Sequence, residues 1–126
     1  MLDRAPAATG YAGAEDTPSI EAPRSLVAVS DSESVLDLRI VATPGHTAGH
    51  ICVLDPVGGI FVAGDALGTA AGVVVGPNAR FTADMATAMA SIAKLGTLRF
   101  EALLVGHGDA IESGAAAMVA DLAARS

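Results

Sequence analysis

The sequence has very little lysine, cysteine or aromatic side chain. Lys94 is its only lysine, and seven basic residues against fourteen acidic ones give a formal net charge of −7. Because no Lys/Arg cluster could neutralise a row of phosphates, we expect neither nucleic acid nor an anionic membrane as a partner. The single cysteine, Cys52, excludes an internal disulfide and fits a reducing compartment.

Long apolar runs are also missing. No stretch approaches the roughly 20 residues that a membrane helix needs, and the N-terminus has no basic region followed by an apolar segment. These absences predict a cytoplasmic protein. The length of 126 residues suits one domain, and a hydrophobic content of 52% with only 3% aromatic residues predicts an aliphatic core. A mean hydropathy of +0.51 predicts that some apolar surface stays uncovered.

The apolar pattern predicts two β-hairpins. Residues 26–29 form a short apolar run, residues 30–34 are polar, and Leu36, Leu38 and Ile40 then alternate with polar residues as in a half-buried strand. Two further apolar runs, at 51–54 and 60–63, flank "DPVGG", which favours a chain reversal. Four strands are therefore expected before residue 64.

Helical spacing appears in the second half of the chain. Thr82 is expected to cap a helix that ends at Gly96, the strand "EALLV" should follow, and a second helical pattern runs to the C-terminus. The apolar face is expected to contain Met85, Met89, Ile92 and Ala93 in the first helix, and Ile111, Ala115, Met118, Val119 and Leu122 in the second. This order predicts an α+β fold, a mixed β-sheet with helices on one face.

Three predicted strand ends carry the same pattern, a glycine followed by histidine or aspartate: Gly45-His46, Gly64-Asp65 and Gly106-His107. Glycine allows a sharp turn or a close backbone approach, so the next side chain is exposed at the edge of the sheet. If these ends lie side by side, two imidazoles and a carboxylate converge. Such a set suits a divalent transition metal such as zinc.

Each residue also has an ordinary structural interpretation. A histidine beside glycine is commonly a turn or surface residue, and aspartate after glycine commonly forms a turn or caps a helix. His50 follows His46 by four residues, but Pro44 and the neighbouring glycines exclude a helical metal-binding pair. We expect His50 to support the site or to pack, rather than to bind metal. Cys52 is expected to be a small core residue.

The motifs "TPGHTAGH" at 43–50, "VAGDAL" at 62–67 and "LLVGHG" at 103–108 resemble the later three metal motifs of the metallo-β-lactamase-fold hydrolases. The resemblance implies a four-layer αβ/βα sandwich of two similar halves, with one or two metal ions, usually zinc, at the edge between them. It further implies that His46 binds one metal, that Asp65 bridges two, and that His107 binds the second. Thr47 and His50 would then support the metal ligands.

The first metal motif of that family, HxHxDH, is absent from this sequence. We therefore interpret the chain as a single partial domain over residues 1–126, the C-terminal half of a metallo-β-lactamase-like sandwich. Residues 1–24 would be an irregular lead-in and residues 25–126 the part with the motifs. Within the lead-in, residues 2–6 resemble the last turn of a helix and "ATGYAG" the strand that follows it.

The sequence leaves two functions open. In the first, the chain is part of a zinc-dependent hydrolase of small molecules that uses metal-bound hydroxide. It would be inactive alone, because each metal would have at most two protein ligands. A homodimer or a complementing N-terminal half would then cover its exposed sheet face. In the second, it is a degenerate metal-binding or interaction module. An in-frame HxHxDH-type motif upstream of Met1 would favour the enzyme.

The sequence offers little about the substrate. The loop over residues 68–81 is expected to line the mouth of the site, with Arg80 as the only nearby cation. Scarce lysine argues against a glutathione-thioester substrate, whose negative charges would favour several basic contacts. The Gly-rich "GDALGTAAG" lacks the order G-x-G-x-x-G, so we do not expect a dinucleotide site.

Overall fold

The computed structural model describes residues 9–20 and 26–126. Its central element is a five-stranded mixed sheet with the order β3-β4-β5-β6-β9. The strands are β3 (Ser34–Val35), β4 (Leu38–Ala42), β5 (Ile51–Asp55), β6 (Ile60–Gly64) and β9 (Ala102–Val105). All neighbours are antiparallel except β6 and β9, which run parallel, as two strands joined through a helix do.

Two smaller sheets accompany the central one. Strands β1 (Gly10–Gly13) and β2 (Leu26–Val29) pair in parallel, and β7 (Gly68–Ala70) and β8 (Val73–Val75) form an antiparallel hairpin. The strand expected within "ATGYAG" is therefore present as β1. The helix turn expected over residues 2–6 lies outside the described residues.

Two helices, α1 (Met85–Leu95) and α2 (Ala115–Arg125), cover one face of the central sheet. The core between them is mostly aliphatic, with Phe61 and Phe100 stacked at a centroid distance of 4.9 Å. This arrangement confirms the predicted α+β class and the mixed sheet with helices on one face. Among the described residues, neither helix is both long and apolar enough to cross a membrane.

The other face of the central sheet carries exposed aliphatic side chains. Val62 of β6 and Leu104 of β9 are register partners and are 40% and 44% exposed, and Ile60 beside them is 38% exposed. Apolar side chains that meet across neighbouring strands form a continuous surface. Part of the uncovered apolar surface expected from the hydropathy therefore lies on this face, which we call the outer face.

The first predicted hairpin is wrong in its pairing. Strand β2 pairs with β1, whereas the hairpin joins β3 to β4. Its two central residues, Leu36 and Asp37, have φ angles of +51° and +64°, as a two-residue turn of the type favoured in hairpins requires. Leu36 is consequently 84% exposed instead of facing the core. The second hairpin, β5–β6, is confirmed.

Both helices begin later than the sequence pattern indicated. Asp84, not Thr82, caps α1, because its carboxylate accepts hydrogen bonds from the backbone N–H and the hydroxyl of Thr87. Ala93 of α1 is exposed, so its place on the apolar face is also wrong. Ile111 does not belong to α2; it forms an isolated antiparallel bridge with Leu103. The expected stop at Gly96 is confirmed.

Candidate metal centre

His46, Asp65 and His107 lie together at one edge of the central sheet. Asp65 stands between the two histidines: His46 Nε2 is 3.2 Å from Oδ2, and His107 Nδ1 is 3.0 Å from Oδ1. The side chains of His46 and Asp65 are 25% and 34% exposed, whereas that of His107 is 88% exposed. The structure therefore brings together all three residues that the glycine pattern singled out.

Parallel strands β6 and β9 place two of these residues side by side. Asp65 directly follows β6, and His107 follows β9 after Gly106, whose backbone N–H donates to the carbonyl of Gly64 at 2.8 Å. A Cβ atom at position 106 would overlap Oδ1 of Asp65. A larger residue at this position would therefore displace the carboxylate from its place beside β9.

His46 lies in the turn between β4 and β5, and helix α1 holds this turn in place. The backbone N–H of Asp84 donates to the carbonyl of Gly45 at 3.0 Å, and the Ser91 hydroxyl donates to the carbonyl of Pro44 at 2.8 Å. Gly45 has a φ of +142°, and a side chain there would overlap the backbone of Ala88. The glycine thus permits close contact between the turn and the helix.

His50 supports Asp65 through a hydrogen bond to its backbone. The backbone N–H of Asp65 donates to His50 Nε2 at 3.3 Å, which leaves the ring proton on Nδ1, where it donates to the Thr43 hydroxyl at 2.7 Å. Burial lowers the pKa of His50, and the nearby His46 lowers it further against the opposing effect of Asp65 and Asp16. His50 is therefore a neutral hydrogen-bonding group whose ring lies edge-on to that of His46, at a centroid distance of 5.7 Å.

The contacts of Asp16 with the turn of His46 were not expected from the sequence. One of its carboxylate oxygens accepts from the Thr47 hydroxyl at 2.5 Å, and the other accepts from the backbone N–H of Gly49 at 2.9 Å. Both donors belong to the turn that carries His46. The contact joins residues more than 30 positions apart, so no local signal in the sequence could have indicated it.

The donor types at the centre fit a divalent metal, but their number is low for a complete site. Imidazole nitrogen and carboxylate oxygen are common ligands of zinc and related ions. Each histidine faces a different oxygen of Asp65, an arrangement that fits a carboxylate with one cation on each side. Across residues 9–20 and 26–126, however, no group of three or more His, Cys, Asp or Glu side chains is arranged to hold one ion.

A cavity of about 280 Å³ opens beside Asp65. His46 and His107 line one end, and residues between 67 and 82, including the β7–β8 hairpin, line the rest. The loop over residues 68–81 therefore lines the mouth of the site, as expected. Arg80 is exposed and does not line the cavity.

Comparisons with known proteins agree with these motifs. The family model described as the metallo-beta-lactamase superfamily matches residues 3–107. A curated relative, "Probable metallo-hydrolase YflN" of Bacillus subtilis (strain 168), is 48% identical over 54% of this chain and 30% of its own length.

Two solved structures share the fold. The metallo-beta-lactamase FIM-1 from Pseudomonas aeruginosa, in a mono-zinc form, is 25% identical, with a TM-score of 0.66 over 97% of this chain and 58% of that one. TTHA1623, in a di-iron-bound form, is 22% identical, with a TM-score of 0.71 over 94% and 65%. The present chain thus spans less than two thirds of each of these proteins, and under a third of the curated relative.

Proposed function

This chain belongs to the metallo-β-lactamase superfamily, and we propose on that premise that it supplies part of the active centre of a metal-dependent hydrolase. The observation that carries the proposal is the position of Asp65 between His46 and His107, each facing a different carboxylate oxygen. These three side chains come from distant parts of the sequence. Their convergence has an explanation if they share one cation or a pair of cations.

The proposed roles follow this geometry. His46 would bind one ion, His107 the other, and Asp65 would bridge them. We propose zinc, which suits imidazole and carboxylate donors and is named for FIM-1. Iron, named for TTHA1623, is the alternative that a metal analysis would distinguish. When bound, such ions polarise a substrate oxygen and lower the pKa of a water molecule towards about 7, which permits its attack as hydroxide.

Thr47 and His50 would hold the metal ligands in position. His50 holds the backbone N–H of Asp65 and, being neutral, adds no charge that would repel a cation. Thr47 ties the turn of His46 to Asp16. A ligand that is held in place before the metal arrives loses less conformational entropy on binding, so both residues would raise the metal affinity.

We further propose that the chain alone is inactive. Catalytic zinc usually has three protein ligands, and the described part of this chain offers each ion at most two. The missing ligands would come from an N-terminal half that packs on the outer face, where Val62 and Leu104 are exposed. A second copy of this chain on that face is the competing arrangement.

The single cysteine, buried and free, supports a cytoplasmic location.

Zinc binding by the full chain tests the proposal. Four-ligand structural sites gain about 10–16 kcal/mol, so half the ligands should give about half, a dissociation constant in the micromolar range or weaker. After dialysis against buffer, elemental analysis should find less than one zinc per chain, and neither a thioester nor a lactam should be hydrolysed. Stoichiometric zinc together with turnover would contradict the inactivity.

A matched pair of variants tests the role of Asp65. Asp65→Asn should abolish zinc binding in titration calorimetry, because the bridging charge is lost. Asp109→Asn removes an equal charge from the same edge, at an exposed residue that offers only its carbonyl to Thr69. It should leave zinc binding unchanged. Equal affinities in the two variants would overturn the metal assignment.

A non-catalytic module remains the second candidate, favoured by the incomplete donor set among the described residues. Adding the N-terminal segment of the Bacillus relative as a separate polypeptide distinguishes the two candidates. Recovery of zinc-dependent hydrolysis supports the enzyme. Binding of the segment without hydrolysis supports the module.

A further inference from the structure

The cavity beside Asp65 has an uneven distribution of polar groups. His46, Asp65 and His107 form one end. Away from them, the wall contains Leu67, Val75, Pro77 and Phe81, and Leu67 is only 2% exposed. A ligand with one end at the Asp65 carboxylate would place its remainder against aliphatic and aromatic surface.

Most polar groups of the side chains in the wall form hydrogen bonds within the protein. The Thr69 hydroxyl donates to the carbonyl of Asp109 at 2.6 Å, and the Thr82 hydroxyl donates to the carbonyl of Asn78 at 2.7 Å. Asn78 Oδ1 accepts from the backbone N–H of Arg80 at 2.9 Å. Both hydroxyl protons are therefore used. A buried anion needs several donors to offset its desolvation, and beyond the histidines the described side chains of the wall leave only the amide N–H groups of Asn78.

The charges around the cavity also oppose an anion. Among the described residues that line it, none is lysine or arginine, and Asp65 is the acidic one. The whole chain carries a formal net charge of −7. Without bound metal, an anionic group in the cavity would meet the Asp65 carboxylate and no lysine or arginine among the described lining residues.

We infer that, without bound metal, this cavity accepts an uncharged, largely apolar ligand, and that in the hydrolase its wall of Leu67, Val75, Pro77 and Phe81 takes an apolar group of the substrate. This inference rests on the proposed function for its link to hydrolysis. A volume of about 280 Å³ lies just below the range of about 300–1,000 Å³ typical of ligand pockets. The group bound here is therefore small, such as a short aliphatic chain.

Two small molecules with the same alkyl chain and different charge test the inference on the full 126-residue protein. Hexanamide and hexanoate are titrated without metal, and binding is followed by shifts of the backbone amide signals of residues 67–82. Hexanamide should bind with a millimolar dissociation constant, and hexanoate about tenfold more weakly, as one unfavourable charge contact at intermediate dielectric predicts. Equal or tighter binding of hexanoate would overturn the inference, and so would the absence of hexanamide binding.

A matched pair of variants links the preference to the cavity. V75K places a cation in the wall at a side chain that is already 40% exposed, and it should reverse the preference in favour of hexanoate. V57K makes the same change at a side chain that is 94% exposed in the β5–β6 turn and does not line the cavity. It should keep the wild-type preference. An unchanged preference in V75K, or a reversal in V57K, would contradict the assignment.

These outcomes are separate from those of the metal experiment. Zinc binding that depends on Asp65, together with failure of hexanamide to bind, would remove the inference and leave the proposed function. Hexanamide binding without any zinc binding would remove the proposed function and leave a neutral apolar site.

Discussion

The thiol of Cys52 contacts the candidate metal centre indirectly, through Thr43 and His50. It is 1% exposed and lies 3.2 Å from the hydroxyl of Thr43, which is also within 2.7 Å of His50. Burial raises the pKa of Cys52 to about 12, although Thr43 and, more weakly, Lys94 act to lower it. The expectation that Cys52 is a small core residue is confirmed. This environment gives the thiol a structural role in place of a reactive one.

Cys52 should resist alkylation in the folded protein. At pH 8 a thiol with a pKa near 12 is ionised to about one part in 10⁴, whereas an exposed cysteine is ionised to about a quarter. Iodoacetamide should therefore label the native chain only as fast as it unfolds, measured by mass spectrometry against a sample in concentrated urea. Native labelling at the rate of the urea sample would contradict the burial.

The same raised pKa sets a direction for stability against pH. The folded state holds the thiol proton more tightly than the unfolded chain does, so this contribution is complete below the pKa of an exposed cysteine. It is lost as the pH rises from about 8.5 towards about 12.

The sequence indicated the three candidate metal ligands better than the residues that hold them in place. Glycine before His46, Asp65 and His107 is a local signal, because close backbone approach requires it. Asp16 and Thr43 carry no such signal. Their contacts depend on how β1 and the turn of His46 come together, which is decided by tertiary packing.

Among the structural elements, the turn over residues 43–50 is held from two sides. Helix α1 binds it through Pro44 and Gly45, and Asp16 binds it through Thr47 and Gly49. Gly49 is buried, so its N–H has an acceptor only while Asp16 is in place. The strand that leads to Asp16 thereby contributes to the position of His46.

Replacement of Asp16 by alanine should destabilise the protein. The change leaves a buried backbone donor and a hydroxyl without their carboxylate acceptor, a loss of about 1–2 kcal/mol. Urea unfolding measures this loss as a lower midpoint at an unchanged slope. Glu15→Ala, at the exposed neighbouring position, is the control and should stay within about 0.5 kcal/mol of the parent. Equal stabilities of the two variants would show that Asp16 does not restrain the turn.

Element boundaries show where the sequence pattern was insufficient. "DPVGG" predicts the β5–β6 turn because Asp, Pro and Gly favour reversal, and Asp55 accepts hydrogen bonds from the N–H groups of Val57 and Gly58. The β3–β4 turn uses Leu36, a residue that rarely adopts positive φ, so the alternating pattern appeared to continue as a strand. The sequence misplaces the start of α1 because Thr82 and Asp84 are both good caps, whereas the structure caps the helix with Asp84, whose N–H also donates to the carbonyl of Gly45.

For the whole molecule, the two faces of the central sheet differ. One is covered by α1 and α2, and the outer face leaves Ile60, Val62 and Leu104 exposed. The hydropathy indicated this surplus but not its location. The family motifs indicated the half-sandwich. The parallel pairing of β1 with β2 is known only from the structure, because the sequence has no local pattern that predicts it.

We propose that three distant side chains share divalent metal, and nuclear magnetic resonance of the imidazole nitrogens tests this proposal most directly. The chain has only three histidines, so every ring can be observed separately while zinc is added. We predict that the His46 and His107 nitrogens shift together, that His50 keeps its neutral tautomer, and that Asp65→Asn abolishes both shifts. Zinc that perturbs only one of the two rings, or neither, would contradict it.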